Sequence, residues 1–262
     1  MAYLRLRQIC LVAYDLKARA NELRQVFELG EGHPDAGIAR LGLENIVIPA
    51  GRQPVFLEIV APIREGTTAE RYLERRGGDG GYMYIVDDSE HEAAKARVQA
   101  LGVRIITERV SDDEPRARLM QLHPKDTGGA MIEIDWHGAG EDMLGPYRWA
   151  GDDWQAHLRT GCVQAVLGAE IQSDDPASLA RRWSEILGRP VETGPDGDPQ
   201  LVLDNAFARF TPPKDARGEG LSAVHVAVSD PEAVRRRARD LGLPFADEAP
   251  IVCGVRFPLT LA

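Results

Sequence analysis

One unit recurs four times in this chain: an apolar strand, an acidic cap, an amphipathic helix, and a glycine after leucine. A module of this kind cannot bury its apolar face alone and must pair with its copies, so it limits the fold more than any single motif does. The copies open at Ile9–Tyr14, Tyr82–Val86, Ala165–Ile171 and Val224–Val228. Their caps are Asp15, Asp87-Asp88-Ser89, Asp174-Asp175-Pro176 and Ser229-Asp230-Pro231, whose side-chain oxygens can accept the orphan N–H bonds of a first helical turn. Pro176 and Pro231 fall where a first-turn proline costs nothing. The helices are expected to run to Leu29, Leu101, Leu187 and Leu241. Each is followed by a glycine (Gly30, Gly102, Gly188, Gly242) able to take the left-handed closing conformation. Leu16, Ala20, Leu23 and Phe27 share one face of the first helix, which therefore packs on a sheet.

Short strand-like runs follow each helix. They are Glu44–Ile48 and Val55–Val60 in the first unit, and Val103–Thr107, Ala117–Leu122 and Ala130–Ile134 in the second. Leu201–Leu203 and Ala206–Phe210 follow the third helix, and Ile251–Leu261 the fourth. The fold class is α+β: four βαβββ modules forming two tandem domains, residues 1–137 and 162–262. Residues 138–161 connect them and carry Tyr147, Trp149 and Trp154; that much aromatic surface is costly to leave wet, so the connection is expected to lie against a domain surface. The glycine-rich run 77–81 does not lead a strand into a helix, which excludes a phosphate-cradling loop. It reads as a flexible crossing between modules, where backbone can approach a ligand closely.

Composition removes several classes of function. The chain has 31 basic and 41 acidic residues, net −10, and such a surface repels phosphate backbones; no nucleic-acid partner is expected. No apolar run approaches the ~20 residues a bilayer span requires, and the first 16 residues read as a strand rather than a signal peptide. Cys10, Cys162 and Cys253 are few and far apart, which points to reduced thiols in the cytoplasm, without a disulfide framework or zinc motif.

The repeated module, the strand-to-Asp-Leu opening Gln8–Leu16, and the run His123-Pro124-Lys125-Asp126-Thr127-Gly128-Gly129-Ala130-Met131-Ile132-Glu133-Ile134 together resemble the vicinal oxygen chelate superfamily. That superfamily includes glyoxalase I, bleomycin resistance proteins, extradiol dioxygenases and methylmalonyl-CoA epimerase. The last run is similar to the closing hairpin of methylmalonyl-CoA epimerase, and the likeness covers nearly the whole chain. The resemblance implies two glyoxalase-like domains, each a cupped sheet around one site. It also implies a divalent ion (Zn, Ni, Mn, Co or Fe) on the first and last strands of the two modules. Carried over, the ligands are Gln8, Glu58 and Glu133; counted back from Asp88, the fourth position is Gly81, where the family has His. Tyr82 and His123 are the nearby candidates to replace it.

On this resemblance the first domain acts on a small molecule with adjacent oxygens, by metal-assisted proton transfer next to a carbonyl, as a lyase or isomerase. Glu133 and Glu58 are the candidate bases, and His123, Tyr82, Tyr84, Phe56 and Lys125 the candidate substrate contacts. Each residue has a plainer reading: Glu58 and Glu133 alternate with apolar neighbours as solvent-facing strand residues do, and His123 precedes Pro124 at a turn. The alternative function is a metal-free small-molecule-binding protein of the bleomycin-resistance type, its cup lined by aromatics. The second domain reads as chemically silent: Gly168, Ala208 or Arg209, Ala223 and Pro258 form no ligand set, and His225 reads as a packed or hydrogen-bonded core residue. Two fused domains can satisfy the family's pairing within one chain, so monomer and homodimer are both compatible.

Overall fold

The computed structural model describes residues 2–114 and 116–262. The first half contains β1 (Leu4–Val12), β2 (Leu43–Ala50), β3 (Val55–Pro62), β4 (Gly80–Asp88), β5 (Ile105–Ser111), β6 (Ala117–Leu122) and β7 (Met131–His137). Its helices are α1 (Leu16–Phe27), α2 (Thr68–Arg76), α3 (His91–Ala100) and the single turn α4 (Pro124–Thr127). The strands form one sheet in the order β2-β3-β1-β4-β7-β6-β5. Antiparallel β1 and β4 sit at its centre, each flanked by the parallel last strand of its own module, β3 and β7.

The second half contains β8 (Val163–Gln172), β9 (Val191–Thr193), β10 (Pro199–Val202), β11 (Phe207–Thr211), β12 (Gly220–Val228), β13 (Phe245–Ala246), β14 (Ala249–Val252), β15 (Val255–Arg256) and β16 (Leu259–Leu261). Helices α5 (Pro176–Leu187) and α6 (Pro231–Asp240) accompany them. β8 and β12 pair antiparallel at the centre of this nine-stranded sheet, as β1 and β4 do in the first. The architecture is α+β, two curled sheets each built from two modules. The first module is the shortest: only β1, β2 and β3 join the sheet, and a single bridge from His33 to Val47 covers the outer edge of β2.

Three of the four caps form as the acidic positions dictate: Asp15, Asp175 and Asp230 accept from the N–H groups of Ala18, Ser178 and Ala233. α3 differs, because its cap is Glu90 with no side-chain bond, while Asp88 accepts the Glu90 N–H at 2.8 Å. α1 does not end on Gly30; Glu28 takes the left-handed conformation instead. Gly30 is glycine for space, since a Cβ there would lie 1.9 Å from the carbonyl oxygen of His157. α2 was not expected from sequence, because its highly charged run buries only Ala69, Leu73 and Arg76.

One apolar core runs through both halves, joining Leu6, Ile9, Tyr84 and Ile132 to Ile171, Trp183, Phe210 and Leu221. The glycine-rich run is part of this joint rather than a ligand loop. Gly77 closes α2, and Gly81 is buried in β4, where a Cβ would meet Leu221 of β12 at 2.6 Å. Arg76 clamps the same seam by donating to the carbonyls of Arg217 and Gly218, both at 2.8 Å.

Candidate active site

The concave face of the first sheet is set by a bulge. Simple alternation along β1 would give Gln8 the face of Leu4 and Leu6, which is core. The register shifts between Leu6 and Gln8, so Arg7 bulges. Past it Ile9 and Leu11 face the core, while Gln8 and Cys10 face the cup. Glu58 on β3, Met83 and Ile85 on β4, and Met131 and Glu133 on β7 share that face.

The two ends of the cup are filled. At one end Ala69 and Leu73 of α2 pack on Cys10, Val12, Val60 and Met83. At the other lies the segment 138–161, a strap rather than a free linker. Tyr147 stacks on Phe56 with ring centroids 4.5 Å apart, and Trp154 meets Phe56 edge-on at 5.1 Å. Arg7, 1% exposed, holds the strap by donating to the Met143 carbonyl at 2.9 Å. Between the plugs remains a cavity of about 910 Å³. Ile38, Leu43, Val47, Val60, Met83, Ile85 and Met131 give it apolar walls, and Trp149 of the strap closes one side.

Gln8, Glu58 and Glu133 all line this cavity. Gln8 Nε2 donates to Glu58 Oε2 at 2.7 Å, and Asn45 Nδ2 donates to Glu58 Oε1 at 2.6 Å. Gln121 Nε2 donates to Glu133 Oε2 at 2.7 Å. Glu133 also shares a hydrogen bond with Asp135, the next residue on the same face of β7. Asp135 in turn accepts the Trp149 indole N–H at 2.9 Å.

Burial dominates the electrostatics. It pushes Glu133 up to about 7, against the pull of the Gln121 and Asp135 hydrogen bonds, and the nearby Glu58 charge adds to the rise. Burial raises Glu58 as well, opposed by hydrogen bonds from Asn45, Cys10 and Gln8. Asp135 is driven well above the ordinary carboxylate range, first by burial and then by the charge of Glu133. A carboxyl held near 7, as Glu133 is, can take and return a proton near neutral pH.

Tyr82 and His123 also reach the cavity. His123 sits at its edge as the cap of α4, where Nδ1 accepts the Lys125 N–H at 3.1 Å. The structure does not bring the other three expected contacts to it. Phe56 is covered by the strap, and Lys125 is exposed on the α4 turn. Tyr84 lies on the opposite face, 5.5 Å from the Trp183 ring, with its hydroxyl donating to the Phe207 carbonyl at 3.2 Å. Sequence reading passed over Asn45, Gln121, Asp135 and Trp149. The spacing of Glu133 and Asp135 was a usable signal, but the others arrive by cross-strand register and strap placement.

The expected divalent ion fails the fit. Both oxygens of Glu58 already accept amide protons, and the Gln8 carbonyl accepts from the Tyr147 hydroxyl at 2.9 Å. The fourth position is not Gly81. Gln8 lies two residues before Cys10, the β1 partner of Glu58, and Met83 lies two before Ile85, the β4 partner of Glu133, so a thioether, a poor partner for hard ions, holds that place. Among the described residues no group of three or more His, Cys, Asp and Glu side chains is arranged to hold a metal.

In the second half, His225 and Arg256 both bind Glu170, at 2.8 and 2.6 Å, and against burial, which raises it, these two neighbours, His225 first, hold Glu170 down at about 2. Glu170 is therefore already satisfied by its own neighbours.

No family model matches the chain. Among curated proteins, an ethylmalonyl-CoA/methylmalonyl-CoA epimerase of Cereibacter sphaeroides is 25% identical over 140 residues, half of this chain and 96% of that protein. A hypothetical protein from Staphylococcus aureus shares the fold over 99% of both chains, with a TM-score of 0.68 at 11% identity. Methylmalonyl-CoA epimerase from Mycobacterium tuberculosis matches 50% of this chain and 86% of its own, with a TM-score of 0.44 at 21% identity. The full-length match shows the fold of both halves, and the curated likeness supports a relationship between this chain and the vicinal oxygen chelate superfamily.

Proposed function

We propose that the first half is an isomerase that moves a proton at the carbon next to a carbonyl, on an acyl thioester or similar small molecule. One observation carries the reading: Glu133, pushed up to about 7 by burial, faces a ligand-sized cavity together with Glu58. A base poised near the working pH is what abstraction of such a proton requires. In the carboxylate form Glu133 takes the α-proton, and Glu58, the second buried carboxyl facing the cavity, is the other group able to exchange a proton with the same carbon. The C–H electron pair becomes the C=C bond of an enolate while the C=O π pair moves to the oxygen, and both shifts reverse when a proton returns to carbon.

The mouth supports a phosphate-bearing ligand. Arg40, Arg64, Arg71 and Arg109 line the cavity, and none has an ion-pair partner among the described residues of this acidic chain. The curated relative is named for coenzyme A esters, which carry such phosphates. Residues 1–137 are taken as the catalytic domain, 138–161 as its strap and 162–262 as its support. A protein that sequesters its ligand without turnover is the second reading, favoured by the apolar walls Leu43, Val60, Met83, Ile85 and Met131.

The test is deuterium incorporation from D₂O into the α-carbon of methylmalonyl-CoA, ethylmalonyl-CoA and propionyl-CoA, followed by NMR. Wild type is expected to exchange at least one of them, and Glu133→Gln to slow the exchange by ~10²-fold or more. Thioesters that bind without exchange overturn the isomerase and leave the sequestering protein.

A further inference from the structure

We infer that three carboxamides, Gln8, Asn45 and Gln121, hold the ligand's carbonyl oxygen in place of a divalent ion. This rests on the isomerase reading. Each side chain lines the cavity, and each nitrogen donates one N–H to a floor carboxylate: Gln8 and Asn45 to Glu58, Gln121 to Glu133. A carboxamide nitrogen carries two hydrogens. No second acceptor meets these nitrogens among the described residues, so one N–H of each is open to a guest.

Two of the three orientations are fixed from behind. The Asn45 carbonyl accepts the Asp35 N–H at 2.8 Å, and the Gln8 carbonyl accepts the Tyr147 hydroxyl. Turning Asn45 would leave the part-buried Asp35 N–H without its acceptor, and turning Gln8 would leave the Tyr147 hydroxyl only its longer 3.4 Å contact with Asp135; a lost bond of this kind costs about 1–3 kcal/mol. An arriving cation would therefore face N–H groups where a metal site presents oxygens. A carbonyl oxygen meets the opposite: donors already oriented, whose pull grows as negative charge develops on it.

The chemistry balances without another reactant. Glu133 accepts the α-proton; the C–H pair becomes the C=C bond of an enolate, and the C=O π pair moves to the oxygen facing the amides. Return of a proton to carbon reverses each shift.

Chelator-treated protein should bind no Mn²⁺, Ni²⁺ or Zn²⁺ at micromolar concentration, read by elemental analysis after gel filtration. Met83→His, which adds an imidazole at the fourth position, should also bind none, because the amides still present N–H groups to an arriving cation. The carbonyl carbon of [1-¹³C]propionyl-CoA should move downfield on binding wild type. Gln121→Leu should reverse part of that movement and slow α-proton exchange by ~10²–10³-fold, mainly in kcat. One ion bound per wild-type chain, or a bound carbonyl whose resonance does not move, overturns the inference. Propionyl-CoA that fails to bind overturns the reading beneath it, while the metal titration still decides whether the floor admits an ion.

Discussion

Gln121 of β6 donates to Glu133 of β7 at 2.7 Å, the pair lying directly opposite in antiparallel register. The bond lowers the cost of ionising Glu133, yet burial outweighs it and the carboxyl stays near 7. The folded state therefore holds a proton that the unfolded chain, with a glutamate value of 4.5, releases earlier.

The sign follows directly. The stability due to neutral Glu133 is complete below 4.5 and is lost as pH rises to about 7. Glu133→Gln, which stays neutral throughout, should match wild type near pH 4.5 and exceed it at pH 8. Each unit of displacement corresponds to about 1.4 kcal/mol, so thermal unfolding at pH 8 should rise by several degrees. Equal melting temperatures at pH 8 would contradict a raised Glu133.

Tyr147→Phe should destabilise without disturbing the ring stack on Phe56, because only the hydroxyl is removed. The Gln8 carbonyl then loses its donor in a buried setting, a loss of about 1–3 kcal/mol. Urea unfolding should show a lower midpoint with an unchanged slope. A midpoint identical to wild type would mean that the strap does not orient Gln8.

Gly81→Ala probes the seam between the halves. The new methyl would lie 2.6 Å from both the Leu221 Cβ and its carbonyl oxygen. Overpacking of this kind costs about 1–3 kcal/mol. Adding Leu221→Ala should recover only part of the loss, since the backbone clash persists, and the two changes should be non-additive. Full recovery in the double variant would place the strain in the side chain alone.

Reversing charge at the mouth, with Arg40→Glu and Arg71→Glu together, should weaken propionyl-CoA binding by more than ~10-fold and flatten its salt dependence. Isothermal titration at two salt concentrations checks this. Because both side chains are exposed, melting temperature should hardly move. Unchanged affinity would move the phosphates away from this rim.

The caps and the repeat were legible because they are local. Asp15, Asp175 and Asp230 bond to N–H groups three residues away, and any helix starting there would use them. Glu58 and Glu133 were found through resemblance, and the sheet brings them to one cavity. The fourth position was miscounted because the cap of α3 is Glu90 rather than Asp88; counted back from the true cap as Gln8 is from Asp15, the place falls on Met83, not Gly81. Phe56, Tyr84 and Lys125 were named for their aromatic or charged character, and character does not say which face a residue takes.

Sequence by itself determined the module, its fourfold repetition, the α+β class and the acidic, thiol-poor composition, since each depends on periodicity or counts within a few neighbours. Tertiary structure decided which face of β1 carries Gln8, through one bulged residue at Arg7. It decided that residues 138–161 close the cup and that Asn45 and Gln121 reach the two glutamates. The reason is physical: hydrogen-bond partners on adjacent strands are set by register, and a shift of one residue turns a side chain from cavity to core.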